Sequence, residues 1–191
     1  MTSPLEAKLE VILRGAPTLM RVMETARELA LPDWLIVSGA IYQRVFNHLT
    51  GRDPDYGIKD YDLAYHDASD TSYEAEDVVI RRVTAAFEPP LAELIEVRNQ
   101  ARVHLWFEGR FGEAYTPLQS SAEALERFVS PTFAVGARLA ADDAIQIVAP
   151  FGLTDLFALR MRPNPRRKTG GFDRVAESLT KRWPELSVAR A

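Results

Sequence analysis

Apolar residues at helical spacing open the chain. Leu5, Leu9, Ile12 and Leu13 share one face behind Ser3-Pro4-Leu5-Glu6, which offers a hydroxyl N-cap, a proline at the first helical position and a glutamate placed to close a capping box. Gly15 stops this helix. Pro17 starts a second, with Leu19, Met20, Met23, Ala26 and Ala30 as its stripe, and Pro32 ends it. Trp34 to Ser38 is then a short apolar run between a proline and a glycine, which predicts a central strand. Gly39-Ala40 leads into a third helix, with Ile41, Val45, Phe46 and Leu49 inside and Gly51 as terminator. Beyond the polar loop Arg52 to Gly57, Ile58 to Tyr65 reads as a second strand and Tyr73 to Phe87 as a helix with a charged outer face.

Past Pro89-Pro90 the signals shorten. Leu94 to Val97 predicts a third strand. Asn99 to Phe111 fits a helix through Val103, Trp106 and Phe107, although strand-like alternation fits as well. Ser120 or Ser121 caps a short helix through Phe128. Thr132 to Leu139 and Ala144 to Val148 predict a hairpin, Leu153 to Met161 a helix, and Phe172 to Trp183 a last helix stopped by Pro184. Strands and helices alternate in the first half, so the expected class is α/β or α+β, a small mixed sheet flanked by helices. One domain is expected over 1–191, with N-terminal helices over 1–31 and the C-terminal hairpin and helices over 131–191 as a candidate subdomain.

Composition narrows the chemistry. The absence of cysteine excludes thiolate catalysis, thiolate zinc sites and disulfides. Lys and Arg number 23 against 27 Asp and Glu, a net charge of −4, so the whole surface is not an electrostatic nucleic-acid binder. The tail differs: Arg160, Arg162, Arg166, Arg167, Lys168, Arg174, Lys181 and Arg182 form either a solvated face or a local site for phosphate or RNA. No apolar run reaches the ~20 residues of a membrane span. The first residues lack a signal-peptide core. A soluble cytoplasmic protein with no membrane partner is expected.

The chemical signal lies in Ile58-Lys59-Asp60-Tyr61-Asp62-Leu63-Ala64-Tyr65. Strand alternation puts Asp60 and Asp62 on one face and Tyr61, Leu63 and Tyr65 on the other. Two carboxylates that close repel each other, and a divalent cation with a preference for oxygen, Mg²⁺ or Mn²⁺, resolves the repulsion. Upstream, Ser38-Gly39-Ala40 joins a strand to a helix N-terminus, a turn suited to an anionic phosphate. Downstream, Ile95-Glu96-Val97 repeats the apolar–acid–apolar pattern, so Glu96 completes a cluster of three carboxylates if its strand lies beside the first. Asp67, Glu93 and Asp155 are the other candidates for the third acid. Such a set suits metal-assisted nucleotidyl transfer.

The order strand–Gly–helix, then Asp-x-Asp, then a third acid resembles the polymerase-β nucleotidyltransferase superfamily. Within it, the chain resembles a family of bacterial predicted nucleotidyltransferases. The stretches that carry this likeness are Ser38 to Ile41, Lys59 to Tyr65, Glu96 to Trp106, Ala149 to Leu156 and Arg162 to Pro165. The resemblance implies an NTP donor, pyrophosphate release, catalytic and metal-binding roles for Asp60, Asp62 and Glu96, and a nucleotide site at Ser38, Gly39 and Ala40. Asn99, Arg102 and His104 either join that nucleotide site or brace the third strand against the helices. The acceptor is a small molecule, a protein or a short RNA, and the region over 131–191 is placed to cover it. Gly39-Ala40 stands where most superfamily members have Gly-Gly or Gly-Ser, and Tyr42-Gln43 where Arg-Asn is expected. The second departure favours an alternative, a non-catalytic nucleotide-binding or regulatory module on the same fold.

Overall fold

The computed structural model describes residues 3–167 and 170–189; Lys168, in the basic tail, lies outside the described residues. Helix α1 (Pro4–Arg14) begins with the full capping box, Ser3 and Glu6 each satisfying the other's backbone N–H. Helix α2 (Pro17–Glu28) and strand β1 (Leu35–Val37) follow. Helix α3 (Gly39–Thr50) ends at Gly51, whose φ of 66° is the left-handed conformation that closes a helix without a Cβ penalty. Next come β2 (Tyr61–Tyr65), α4 (Tyr73–Thr84) and β3 (Ile95–Asn99). Helices α5 (His104–Phe111) and α6 (Ser121–Leu125) precede the strands β4 (Gly136–Leu139) and β5 (Ile145–Val148). The chain closes through α7 (Thr154–Phe157), β6 (Arg160–Met161), α8 (Phe172–Arg182) and β7 (Ser187–Val188).

Five strands form one mixed sheet in the order β3-β2-β1-β4-β5. β2 and β3 are parallel, as a crossover through α4 requires; the other pairs are antiparallel. The alternation of side chains gives the sheet two unlike faces. Ile36, Leu63, Val97 and Ala137 look into the main core under the helices, with Leu9, Leu19, Phe46 and Trp183. Leu35, Val37 and Ala64 look the other way, into a small cluster with Leu125 and Ala134. That second face is only partly covered, and it carries the candidate chemistry.

Several sequence expectations need correction. The second strand starts at Tyr61, not Ile58, because the residue that pairs with Tyr61 is Ile95 and a 3-10 turn (Leu91–Leu94) precedes it, leaving Ile58 to Asp60 without a strand partner. Asp60 therefore sits at the strand's entrance. The hairpin is not an appended cover: β4 pairs with β1 and continues the central sheet. The helix expected over Leu153 to Met161 stops at Phe157. Leu159 has a φ of 49°, and Arg160–Met161 instead pair with Ser187–Val188. No helix among the described residues is long and apolar enough to cross a membrane.

Candidate active site

Three adjacent strands bring the site together in a single row. Val37 on β1 is the cross-strand partner of Asp62 on β2, and Asp62 is the partner of Glu96 on β3. Alternation then puts Arg98, two residues beyond Glu96, on the same face. Directly after Val37 the chain turns at Ser38 with φ 61° and ψ −142°, a backbone region that side chains avoid, and enters α3. The Ser38 hydroxyl donates to the Asp62 carboxylate. A cavity of 160 Å³ opens here, lined by Ser38, Asp62, Glu96, Arg98, Gln100 and Phe128.

The electrostatics are those of a site short of positive charge. Burial, and then the neighbouring charge of Asp60, push the Asp62 carboxyl up to about 6. The Ser38 hydrogen bond opposes this, Glu96 adds to it, and Arg98 opposes it. Tyr42, one turn into α3, is half-buried and packs against Phe133 with ring centroids 4.8 Å apart. Burial raises its phenol above the ordinary range, against the Gln43 hydrogen bond and the Arg182 charge, and Asp62 and Asp60 raise it further. The Gln43 side chain folds back over Gly39 on the same helix, where a Cβ would meet its Nε2 at 2.7 Å, so the glycine leaves room for that amide. The two departures from the expected Arg-Asn are thus packing residues at the start of α3.

A family profile described as "Nucleotidyltransferase" matches residues 24–188, nearly the whole of this arrangement. The chain belongs to this nucleotidyltransferase family. An NMR structure of a protein with a CCA-adding enzyme head domain is similar over 100% of this chain and 98% of its own, with TM-score 0.78 and 20% identity; the likeness is one of fold. No curated protein gives a significant sequence match.

Within this member of the family the expected site residues divide. Asp62, Glu96 and Ser38 line one cavity, Asp60 acts on Asp62 by its charge, and Gly39 and Ala40 form the buried first turn of α3. Asn99 and Arg102 stand elsewhere. Asn99 shares the core face of β3 with Ile95 and Val97. Its backbone N–H donates to Glu76 Oε1 at 2.8 Å, its side-chain amide donates to the Asp67 carbonyl at 2.8 Å, and its side-chain oxygen accepts from Ala101 at 3.0 Å. Arg102 forms an ion pair with the buried Glu76 and donates to the Thr71 carbonyl at 3.2 Å. Both residues brace β3 against α4. His104 starts α5, and its Nδ1 is buried without a hydrogen-bond partner among the described residues. The other candidates for the third acid are engaged or remote. Asp155 pairs with Arg160 and Arg162, Asp67 accepts from the Ser69 N–H and hydroxyl, and Glu93 lies exposed on the 3-10 turn before β3.

Arg98 was missed by the sequence reading, although the alternation that selects Glu96 selects it too. A second cavity, 330 Å³, shares Ser38, Gln100, Ala124 and Phe128 with the first and adds Tyr42, Phe107, Tyr115, Arg127 and Arg167. These residues come from separate segments, and no local sequence signal unites them.

Ser38 gives the first testable consequence. Replacing it by glycine relieves the positive φ, which should raise stability by about 1 kcal/mol. The same change removes the hydroxyl that holds Asp62, so turnover should fall. Thermal unfolding and an activity assay on Ser38→Gly check both; a variant with unchanged stability would show that the turn is unstrained.

Proposed function

We propose that this protein transfers a nucleoside monophosphate from an NTP to a hydroxyl or phosphate acceptor and releases pyrophosphate. The observation that carries the reading is the in-register row of Asp62 and Glu96 beside the Ser38 turn into α3. The donor's triphosphate is placed against the backbone N–H groups of that helix start, with Arg98 facing it across the cavity. The acceptor oxygen attacks the α-phosphorus, a new O–P bond forms, the bond to the bridging α–β oxygen breaks and pyrophosphate leaves. The acceptor's proton passes to the Glu96 carboxylate and on to water.

Asp60, Asp62 and Glu96 are the residues to hold Mg²⁺ or Mn²⁺. Among the described residues no three acidic or histidine side chains already stand in a cation-binding cluster, so the carboxylates must close in to bind one. The donor set fits such an ion nonetheless. Oxygen ligands suit it, and the raised Asp62 carboxyl marks a place where added positive charge is favourable. When bound, the cation supplies charge to the phosphoryl oxygens.

A second reading, a non-catalytic nucleotide-binding module, draws on Tyr42 and Gln43, which pack at the helix start where a cation facing phosphate was expected. Pyrophosphate release from each NTP, with candidate acceptors and either metal, separates the two. The transferase reading expects release coupled to a modified acceptor, and a fall of roughly 10²–10⁴-fold in Glu96→Gln if that carboxylate takes the proton. NTP binding without any release in wild type would leave the module; release with no modified acceptor would indicate hydrolysis.

A further inference from the structure

Helix α5 is anomalous among the helices of this chain. It has no buried residue, yet it carries Leu105, Trp106, Phe107 and Phe111, with Leu105 58% and Phe111 51% exposed. Its aromatic rings pack on one another and on Tyr115: Phe107 lies 4.4 Å from Tyr115 and 4.7 Å from Phe111, centroid to centroid. Guanidinium groups stand over these rings, Arg110 over Phe111, Arg127 over Tyr115 and Arg167 over Phe107. Arg98, Arg110, Arg127 and Arg174 have no ion-pair partner among the described residues, whereas most arginines elsewhere in the chain are paired.

The platform is continuous with the carboxylates. The 330 Å³ cavity reaches from Ser38 to Phe107. A further cavity of 580 Å³ takes over from it, sharing Phe107, Val129, Arg167 and Val175 and extending to Phe111 and Arg174. The track runs on from Ser38 to Phe111 and Arg174, away from the carboxylate row. Its walls combine flat aromatic surface with the guanidinium groups of Arg127 and Arg174, beside the Arg167–Glu113 ion pair, and aromatic surface with guanidinium is the pairing that stacks bases and follows a phosphate backbone.

We propose that the α5 platform and its two cavities bind a short single-stranded polynucleotide whose end is the acceptor of the transfer. The inference rests on the transferase reading for the identity of the reaction, while the binding itself stands on the groove alone. The chain's net charge of −4 confines the contact to this stripe and so favours a short strand over a duplex.

The test is fluorescence anisotropy of labelled 12-nucleotide RNA and DNA single strands and the matching duplex, titrated with the full protein at several salt concentrations. Single strands should bind better than duplex, and the RNA and DNA arms tell which sugar is preferred. Arg110, Arg127 and Arg174, the unpaired arginines of the platform, predict a log–log salt slope of about −2, at roughly 0.7 per phosphate contact, so affinity should fall about 20-fold between 50 and 200 mM salt. Arg110→Ala with Arg174→Ala should reduce that slope by roughly 1.4. Phe111→Ala, at a half-exposed position, should weaken binding roughly tenfold or more with its fold intact by circular dichroism. No binding by either single strand, equal binding by duplex, or binding indifferent to both sets of changes would overturn the proposal. NTP-dependent stabilisation of the wild-type protein, measured in parallel, reports the donor site separately. A positive NTP shift with no strand binding rejects this inference alone, and strand binding without any NTP shift rejects the transferase reading and with it the acceptor role, leaving the strand-binding groove.

Discussion

Asp62→Asn should yield a protein that is more stable and almost inactive. The Asp62 carboxyl is raised from 3.8 to about 6 in the folded chain. Below about pH 4 it is protonated whether the chain is folded or not. Between about 4 and 6 the folded chain keeps a proton that the unfolded chain has released, so stability declines as pH rises. Above about 6 the buried carboxylate is ionised and the full cost applies, up to about 3 kcal/mol at 1.36 kcal/mol per pH unit. Asparagine keeps the shape and can still accept from Ser38, but it carries no charge. At pH 7.5, without metal, the variant should melt roughly 5–10 °C higher than wild type, and the gap should close as pH falls toward 4. Turnover should drop by about 10³-fold or more, since the site loses the central charge of its carboxylate row. Melting curves across pH and a pyrophosphate-release assay measure the two halves. A variant less stable than wild type at every pH would mean that Asp62 is not held ionised against its surroundings.

Glu76→Ala should have the opposite profile. Glu76 is 5% exposed, pairs with Arg102 and accepts from the Asn99 backbone, so it fastens α4 to β3. Its removal leaves the largely buried Arg102 guanidinium without a counter-charge, at a cost of about 3–5 kcal/mol. For a chain of this size that lowers the melting temperature by roughly 10 °C or more. NTP affinity, measured where the variant is still folded, should be unchanged, because Asn99 and Arg102 brace the sheet and do not reach the carboxylate row. A stability loss under about 1 kcal/mol, or a loss of NTP binding in the folded variant, would contradict that placement.

Much of this architecture could be read from the chain because its signals are local. The capping box at Ser3, the proline at the start of α2 and the left-handed Gly51 each act within one turn of helix. The row of Asp62 and Glu96 was legible as a repeated apolar–acid–apolar pattern, although only the parallel pairing of β2 with β3 makes the two residues neighbours. The same alternation should have separated Asn99 from Glu96, since residues three apart on a strand face opposite ways. It should also have drawn attention to Arg98. Features that depend on distant partners were not legible. Asp60 lies before the strand because nothing on β3 pairs with it. α7 is short because Arg160 and Met161 meet a segment near the C-terminus. The aromatic and basic walls of the second cavity come from segments that only the folded chain brings together.

The most direct test of the central claim is thermal unfolding of wild type and Asp62→Asn with each NTP, with and without Mg²⁺ or Mn²⁺. Ligand at ~100 times its dissociation constant should add about 2.7 kcal/mol, a rise of roughly 5–10 °C for a chain of this size. A metal-dependent rise with at least one NTP in wild type, absent from the variant when each is compared with its own unliganded curve, is the expected result. No rise with any NTP in either metal, or an equal rise in both proteins, would contradict nucleotide binding at the carboxylate row.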